Sequence, residues 1–239
     1  MPEATTMPER AAQAGLLELL AWFSPAMPVG AYSYSHGLEY AVGSGLVRDP
    51  PALCAYSESS LRYGTGRLDA MLLAAAHRAS VAGIDRPLEE VVALAAALRG
   101  TRELALESAA QGRALLITLQ QAWPAPELQE LDALCRRRAV EPPYACVAGV
   151  AAAAHRLALE ATLLALLHAF VANLVSAGLR LIPLGQTDGQ RITAALAAAI
   201  QEVAHEAAAA SLDDLGTATP VIDWCSMRHE TQYTRLFRS

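Results

Sequence analysis

Large apolar residues recur at three- and four-residue spacing along most of the chain, and prolines and glycines interrupt that period at short intervals. The pattern predicts a helix over Gln13 to Phe23, stopped by Ser24 and Pro25, and a short one over Tyr34 to Val42, closed by Gly43 and Gly45. Asp49 stands where it can cap a helix running to Tyr63, and Arg67 to Val81 forms the next. Further helices are expected from Thr101 to Trp123, over Glu127 to Arg138, and from Tyr144 to Leu157. The run Ala161 to Leu179 places Leu163, Leu167, Phe170 and Leu174 on one face. Ala165, Ala169, Ala172 and Ser176 line another, which suits close approach of a second helix in a bundle or a dimer.

A last long helix ends near Ala210. Beyond it the helical period is lost, so residues 211–239 read as an exposed tail, and residues 1–12 as a flexible start. The fold class expected is all-α: one helical-bundle domain over 1–239, of about ten helices, with a C-terminal tail.

Composition sharpens that picture. A hydrophobic fraction of 54% with only 5% aromatic describes a core of Ala and Leu, both strong helix formers. A net charge of -6 supplies no field to gather nucleic acid. Every basic residue is arginine, which excludes a Walker A lysine and a Schiff-base lysine. Cys54, Cys135, Cys146 and Cys225 form no CxxC pair and are expected as reduced thiols in the cytoplasm, three of them buried. The opening "MPEATTMPER" carries acids and lacks the apolar core of a signal peptide. His168, Asn173 and Ser176 argue for a core helix rather than a membrane span over 161–179.

Two constellations could carry chemistry. Glu202 and His205 form an ExxH, half of the motif that helical bundles use in duplicate for two metals, and no second copy occurs. Glu103 and Glu107 share a stripe with Arg99 and Gln111. Together they define a rival reading, a helical metalloenzyme. The default places the first pair on a solvated face and the second on an exposed or interface stripe, with no catalytic residue, metal site or cofactor.

What stands apart is three polar, turn-rich stretches: "SPAMPVGAYSYSHGLEYAV", "LIPLGQTDGQRI" and "SMRHETQYTRLFRS". With "RELALESAAQGRALL" between them, in this order, they resemble the urease accessory protein UreF family, whose N-terminal pattern reads SPxLPVGGFSYSxGLE. Ala31 stands where that pattern has glycine. The resemblance implies an all-α dimer that acts as a scaffold in urease maturation, binding UreD (UreH in some organisms) and recruiting the GTPase UreG, which carries nickel towards the urease apoprotein. Family proposals add regulation of GTP hydrolysis by UreG and an internal tunnel for nickel.

The partner-binding residues it implies are Ser33, Tyr34, Ser35, His36 and Glu39 in the first stretch and Gln186, Asp188, Gln190 and Arg191 in the second. In the third they are Arg228, His229, Glu230, Tyr233, Arg235, Leu236, Phe237 and Arg238. From the residues themselves, Gly30 is expected to allow a tight turn, Ser33 or Ser35 to cap the helix after it, and Asp188 to cap the helix after its loop. The tail is expected to be mobile until a partner orders it.

Overall fold

The computed structural model describes the backbone over residues 7–83 and 85–239 and the side chains over 15–83 and 87–239. The expected flexible start lies outside the described residues over 1–6, and residues 7–12 belong to the first helix. The elements are α1 (Met7–Trp22), α2 (Leu38–Gly43), α3 (Pro50–Tyr63), α4 (Thr65–Ala82), α5 (Asp85–Ala97) and α6 (Arg102–Ala122). They continue with α7 (Pro126–Arg138), α8 (Tyr144–Ala154), α9 (Leu159–Leu181), α10 (Gln186–Ala195), α11 (Ala197–Ala209) and α12 (Pro220–His229). No strand occurs among the described residues, so the protein is all-α, a single-domain bundle.

The centre is the pair α4 and α8, flanked by α6, α9 and α11. In α8, "YACVAGVAAAA", the residues from Ala145 to Ala152 are all buried and all small, so α4 can approach closely. A Cβ on Gly149 would sit 2.4 Å from the Leu73 carbonyl oxygen. Leu68, Leu72 and Leu73 of α4 fill the space around this contact with Leu115, Leu116 and Leu119 of α6 and Leu163 and Leu167 of α9. Such burial is the main favourable term in folding.

Caps set several boundaries. Asp49 accepts a hydrogen bond from Ala52 N at 2.9 Å, and Thr101 caps α6 by accepting from Leu104 N at 3.3 Å. The last long helix is in fact two, α10 and α11, broken at Leu196, and α8 stops before α9, where Arg156 takes a left-handed φ of 57°. By length and composition α9 could cross a membrane, yet half of its most apolar stretch is buried inside the bundle. Cys135, Cys146 and Cys225 are buried free thiols and Cys54 is partly exposed. Burial pushes the Cys135 and Cys225 thiols up to about 11.

The largest departure is the tail. Residues 220–229 form a helix, with Pro220 in its first turn where the missing N–H costs nothing. Its buried face is Ile222, Cys225, Ser226 and His229, a true helical stripe disguised by its two polar members. The C-terminal segment is therefore part of the bundle rather than an exposed, mobile tail, and Phe237 and Ser239 are buried as well.

Candidate functional site

Three segments far apart in sequence meet at one end of the bundle: residues 33–39, α6, and residues 226–239. The first is prepared by its backbone. Gly30 has φ +73° and starts a short 3-10 turn over Ala31–Ser33, so Ala31, which stands where the pattern has glycine, needs no left-handed conformation. His36 and Gly37 then take φ of 53° and 76°. A Cβ on Gly37 would lie 2.6 Å from Ser226 N, so only glycine lets α2 start against α12. The Tyr56 hydroxyl donates to the His36 carbonyl at 2.7 Å and holds this turn. Gly37, not a serine, is the N-cap of α2, although the Ser35 hydroxyl still accepts from Glu39 N at 3.4 Å.

Onto this turn the end of the chain is tied by main-chain bonds. Arg238 N–H donates to the Ser33 carbonyl at 2.7 Å and Ser35 N–H to the Ser239 carbonyl at 2.7 Å. The Ser35 hydroxyl donates to the same oxygen.

Below these bonds lies a buried polar seam. Glu39 accepts from Leu236 N at 2.7 Å, Phe237 N at 2.9 Å and His229 Nε2 at 3.0 Å. Glu103 meets the other ring nitrogen, His229 Nδ1, at 2.8 Å and accepts from Arg235 Nη1 at 2.9 Å. One turn further along α6, Glu107 accepts from Gln111 Nε2 at 2.9 Å and the Ser239 hydroxyl at 3.0 Å, and pairs with His36 Nε2 at 3.1 Å. Burial pushes the His36 imidazole down, but the charge and hydrogen bond of Glu107 more than offset this, and the net shift is up. Thr101 and Ser226 hydroxyls close the seam at 2.7 Å.

Both oxygens of all three carboxylates are thus engaged by the protein's own groups. That saturation suits a clamp. Of the exposed or interface stripe expected, exposure is excluded: Glu103 and Glu107 are buried because polar groups of the C-terminal segment cover them, and Arg99 turns away to Asp69, 2.7 Å off. Glu202 lies elsewhere, paired with Arg62 at 2.7 Å on the surface. Among the described residues no cluster of three or more His, Cys, Asp or Glu is arranged to hold a metal ion.

The expected site residues divide accordingly. Tyr34, Ser35, His36, Glu39, His229 and Phe237 are buried, with Arg180 stacked 4.3 Å from the Phe237 ring centre and Asn173 donating to the Tyr34 carbonyl at 3.1 Å. Tyr233 and Leu236 are exposed, as are Arg228 and Arg238, Arg235 is exposed along part of its length while its guanidinium reaches Glu103, and Ser33 and Glu230 are half-buried. Tyr32, exposed beside Ser33, extends this face, and Trp224 packs edge-on against Tyr40, 5.2 Å between ring centres. Gln186, Asp188, Gln190 and Arg191 belong to α10, which packs on α3, α9 and α11. There Asp188 works from the third helical position, accepting from Gly185 N at 3.1 Å, rather than as the N-cap itself. Gln111 belongs to the stripe marked in the sequence by the four-residue spacing of Glu103, Glu107 and Gln111, whereas the contacts of Asn173 and Arg180 join distant residues and have no local signal.

Comparison with known proteins gives one answer. The UreF family model matches residues 47–197. The urease accessory protein UreF of Rhodopseudomonas palustris (strain HaA2) is 48% identical over 240 residues, covering 100% of both chains. That of Xanthobacter autotrophicus (strain ATCC BAA-1158 / Py2) is 49% identical over 231 residues, covering 97% of this chain and 94% of its own. That of Methylobacterium sp. (strain 4-46) is 48% identical over 223 residues, covering 93% and 88%.

Proposed function

The chain belongs to the UreF family of urease accessory proteins, and from that premise we propose that it is a non-enzymatic, cytoplasmic scaffold of urease maturation. In this reading it binds UreD, recruits the GTPase UreG and modulates its activity, and so assembles the complex through which nickel reaches the urease apoprotein. The observation that carries the assignment of the binding face is the clamp. Glu39, Glu103 and Glu107 hold the C-terminal segment so that Tyr32, Tyr233, Leu236 and Arg238 are presented from a fixed backbone. A pre-organised aromatic and arginine face loses little entropy on binding and has the composition of an interface hot spot.

The partner for this face is UreD. The expected ordering of a free tail on binding gives way to a docked segment, and His229 and Phe237 become anchors to the bundle rather than to the partner. The α10 residues Gln186, Gln190 and Arg191 are exposed on a separate surface and are the candidates for a second contact. Dimerisation is supported by apolar groups left in solvent on α1 and α9: Leu16, Leu17, Leu20 and Leu164.

The test is complementation. In cells lacking this chain, urease should stay inactive and be restored by the wild-type protein, which should co-purify with UreD and UreG. Full urease maturation without the chain would refute the reading.

A further inference from the structure

The clamp divides its charges unevenly between the two sides it joins. The bundle supplies the anions, Glu39 from α2 and Glu103 from α6, and the C-terminal segment supplies the cations, Arg235 and His229. His229 is fully buried, and each of its ring nitrogens faces a carboxylate oxygen, at 2.8 Å and 3.0 Å. An ionised carboxylate can only accept, so two such bonds at once require both ring nitrogens to carry hydrogen. Two carboxylates, one guanidinium and one imidazolium then sum to zero. Of the two positive charges that hold the segment, Arg235 keeps its charge at every pH the protein meets, whereas an imidazolium can give its proton up.

We propose that the C-terminal segment is a proton-dependent latch: the Glu39–His229–Glu103 bridge holds it onto the bundle while His229 is the imidazolium, and loss of that proton to solvent releases residues 230–239. Deprotonation changes the sum over the four groups from zero to −1 and turns one ring nitrogen into a lone pair facing a carboxylate. In a buried site such a like-sign contact is costly, because little water screens it. The other charged neighbours do not offset the loss. Glu107, next along α6, is engaged with His36, and beyond it Arg99 is engaged with Asp69. On α12 itself Arg228 projects outward.

Release would also free the Leu236 and Phe237 N–H groups, which Glu39 accepts from directly, so the segment lets go as a unit. That the latch thereby switches the UreD-binding face rests on the function proposed above; that it opens and closes does not.

The experiment is hydrogen exchange on the full chain, read by mass spectrometry in peptides covering 230–239 at about pH 6 and about pH 9, each rate divided by its intrinsic rate at that pH. The latch predicts that protection of this segment falls by about tenfold or more at the higher pH. Peptides from α4 and α8 should stay unchanged. Glu103→Gln removes one anion and lets a neutral imidazole keep both contacts, so the variant should hold the segment equally at both pH values. His229→Gln should make protection lower and likewise independent of pH, and if that variant does not fold, Glu103→Gln decides alone. Wild-type protection that is the same at both values, or a fall that persists undiminished in Glu103→Gln, overturns the latch. UreD capture from the same samples is scored separately. Protection that falls while capture holds steady leaves the latch standing and overturns only the assignment of UreD to this face.

Discussion

The α4–α8 centre and the carboxylates under the C-terminal segment are both buried and are held in opposite ways. Around α8 the contacts are between alanine, valine and leucine side chains, which are non-directional, and each lost contact costs only its own share. In the seam Glu39, Glu103 and Glu107 have every oxygen directed at a named donor, so removing one partner strands another group in a dry site. The first kind of interior supplies stability. The second supplies position, fixing where one segment must lie, while contributing little net stability when complete.

That difference can be broken or sharpened by substitution. The largest single effect should come from His229→Ala, which leaves Glu39 and Glu103 buried without their shared partner and should cost about 3–5 kcal/mol. Urea unfolding measures it, and a cost below about 1 kcal/mol would mean that water already reaches the seam. Leu72→Ala at the centre should cost about 2–5 kcal/mol through the cavity it opens. Its loss should not vary with pH, since Leu72 packs within the apolar core.

The pH dependence of the seam should carry a definite sign. The His36 imidazole is raised above its ordinary 6.5 by Glu107. Its pair therefore stabilises fully below that ordinary value and loses its contribution as the pH climbs through the raised one. The stability gap between wild type and His36→Gln should accordingly narrow as pH increases, and a widening gap would reverse the account. Smaller still is Asp49→Ala, a lost N-cap far from the seam, expected at about 1 kcal/mol. Smallest is Glu202→Ala, which breaks a surface pair with Arg62 and should stay within about 1 kcal/mol in either calorimetric or denaturant unfolding.

The two interiors also differ in how visible they are from sequence. Leucine spacing in α4, α6 and α9 marks their buried faces directly, and Asp49 and Thr101 mark helix starts, because period and caps are local properties. Most pairs of the seam join distant parts of the chain, such as Glu103 with His229, and no local rule joins them. What sequence does show is the unmatched halves: a carboxylate stripe on an apolar helix, and a final stretch with His229, Arg235 and Arg238. The helix at 220–229 is hidden in the sequence because Ser226 and His229 occupy half of the buried stripe of α12 and break its apolar period. The break at Leu196 between α10 and α11 carries no glycine or proline, so nothing in the residues announces it.

In the function proposed above, labour in the C-terminal segment is divided, with buried residues holding it and exposed ones binding UreD. The most direct test of that division is the affinity of the full chain for UreD when Tyr233 and Leu236 are both changed to alanine, with the thermal midpoint measured on the same protein. The account predicts that affinity falls by about 30-fold or more, the loss expected of a hot spot, while the midpoint stays at the wild-type value. Wild-type affinity in the doubly substituted protein would contradict it.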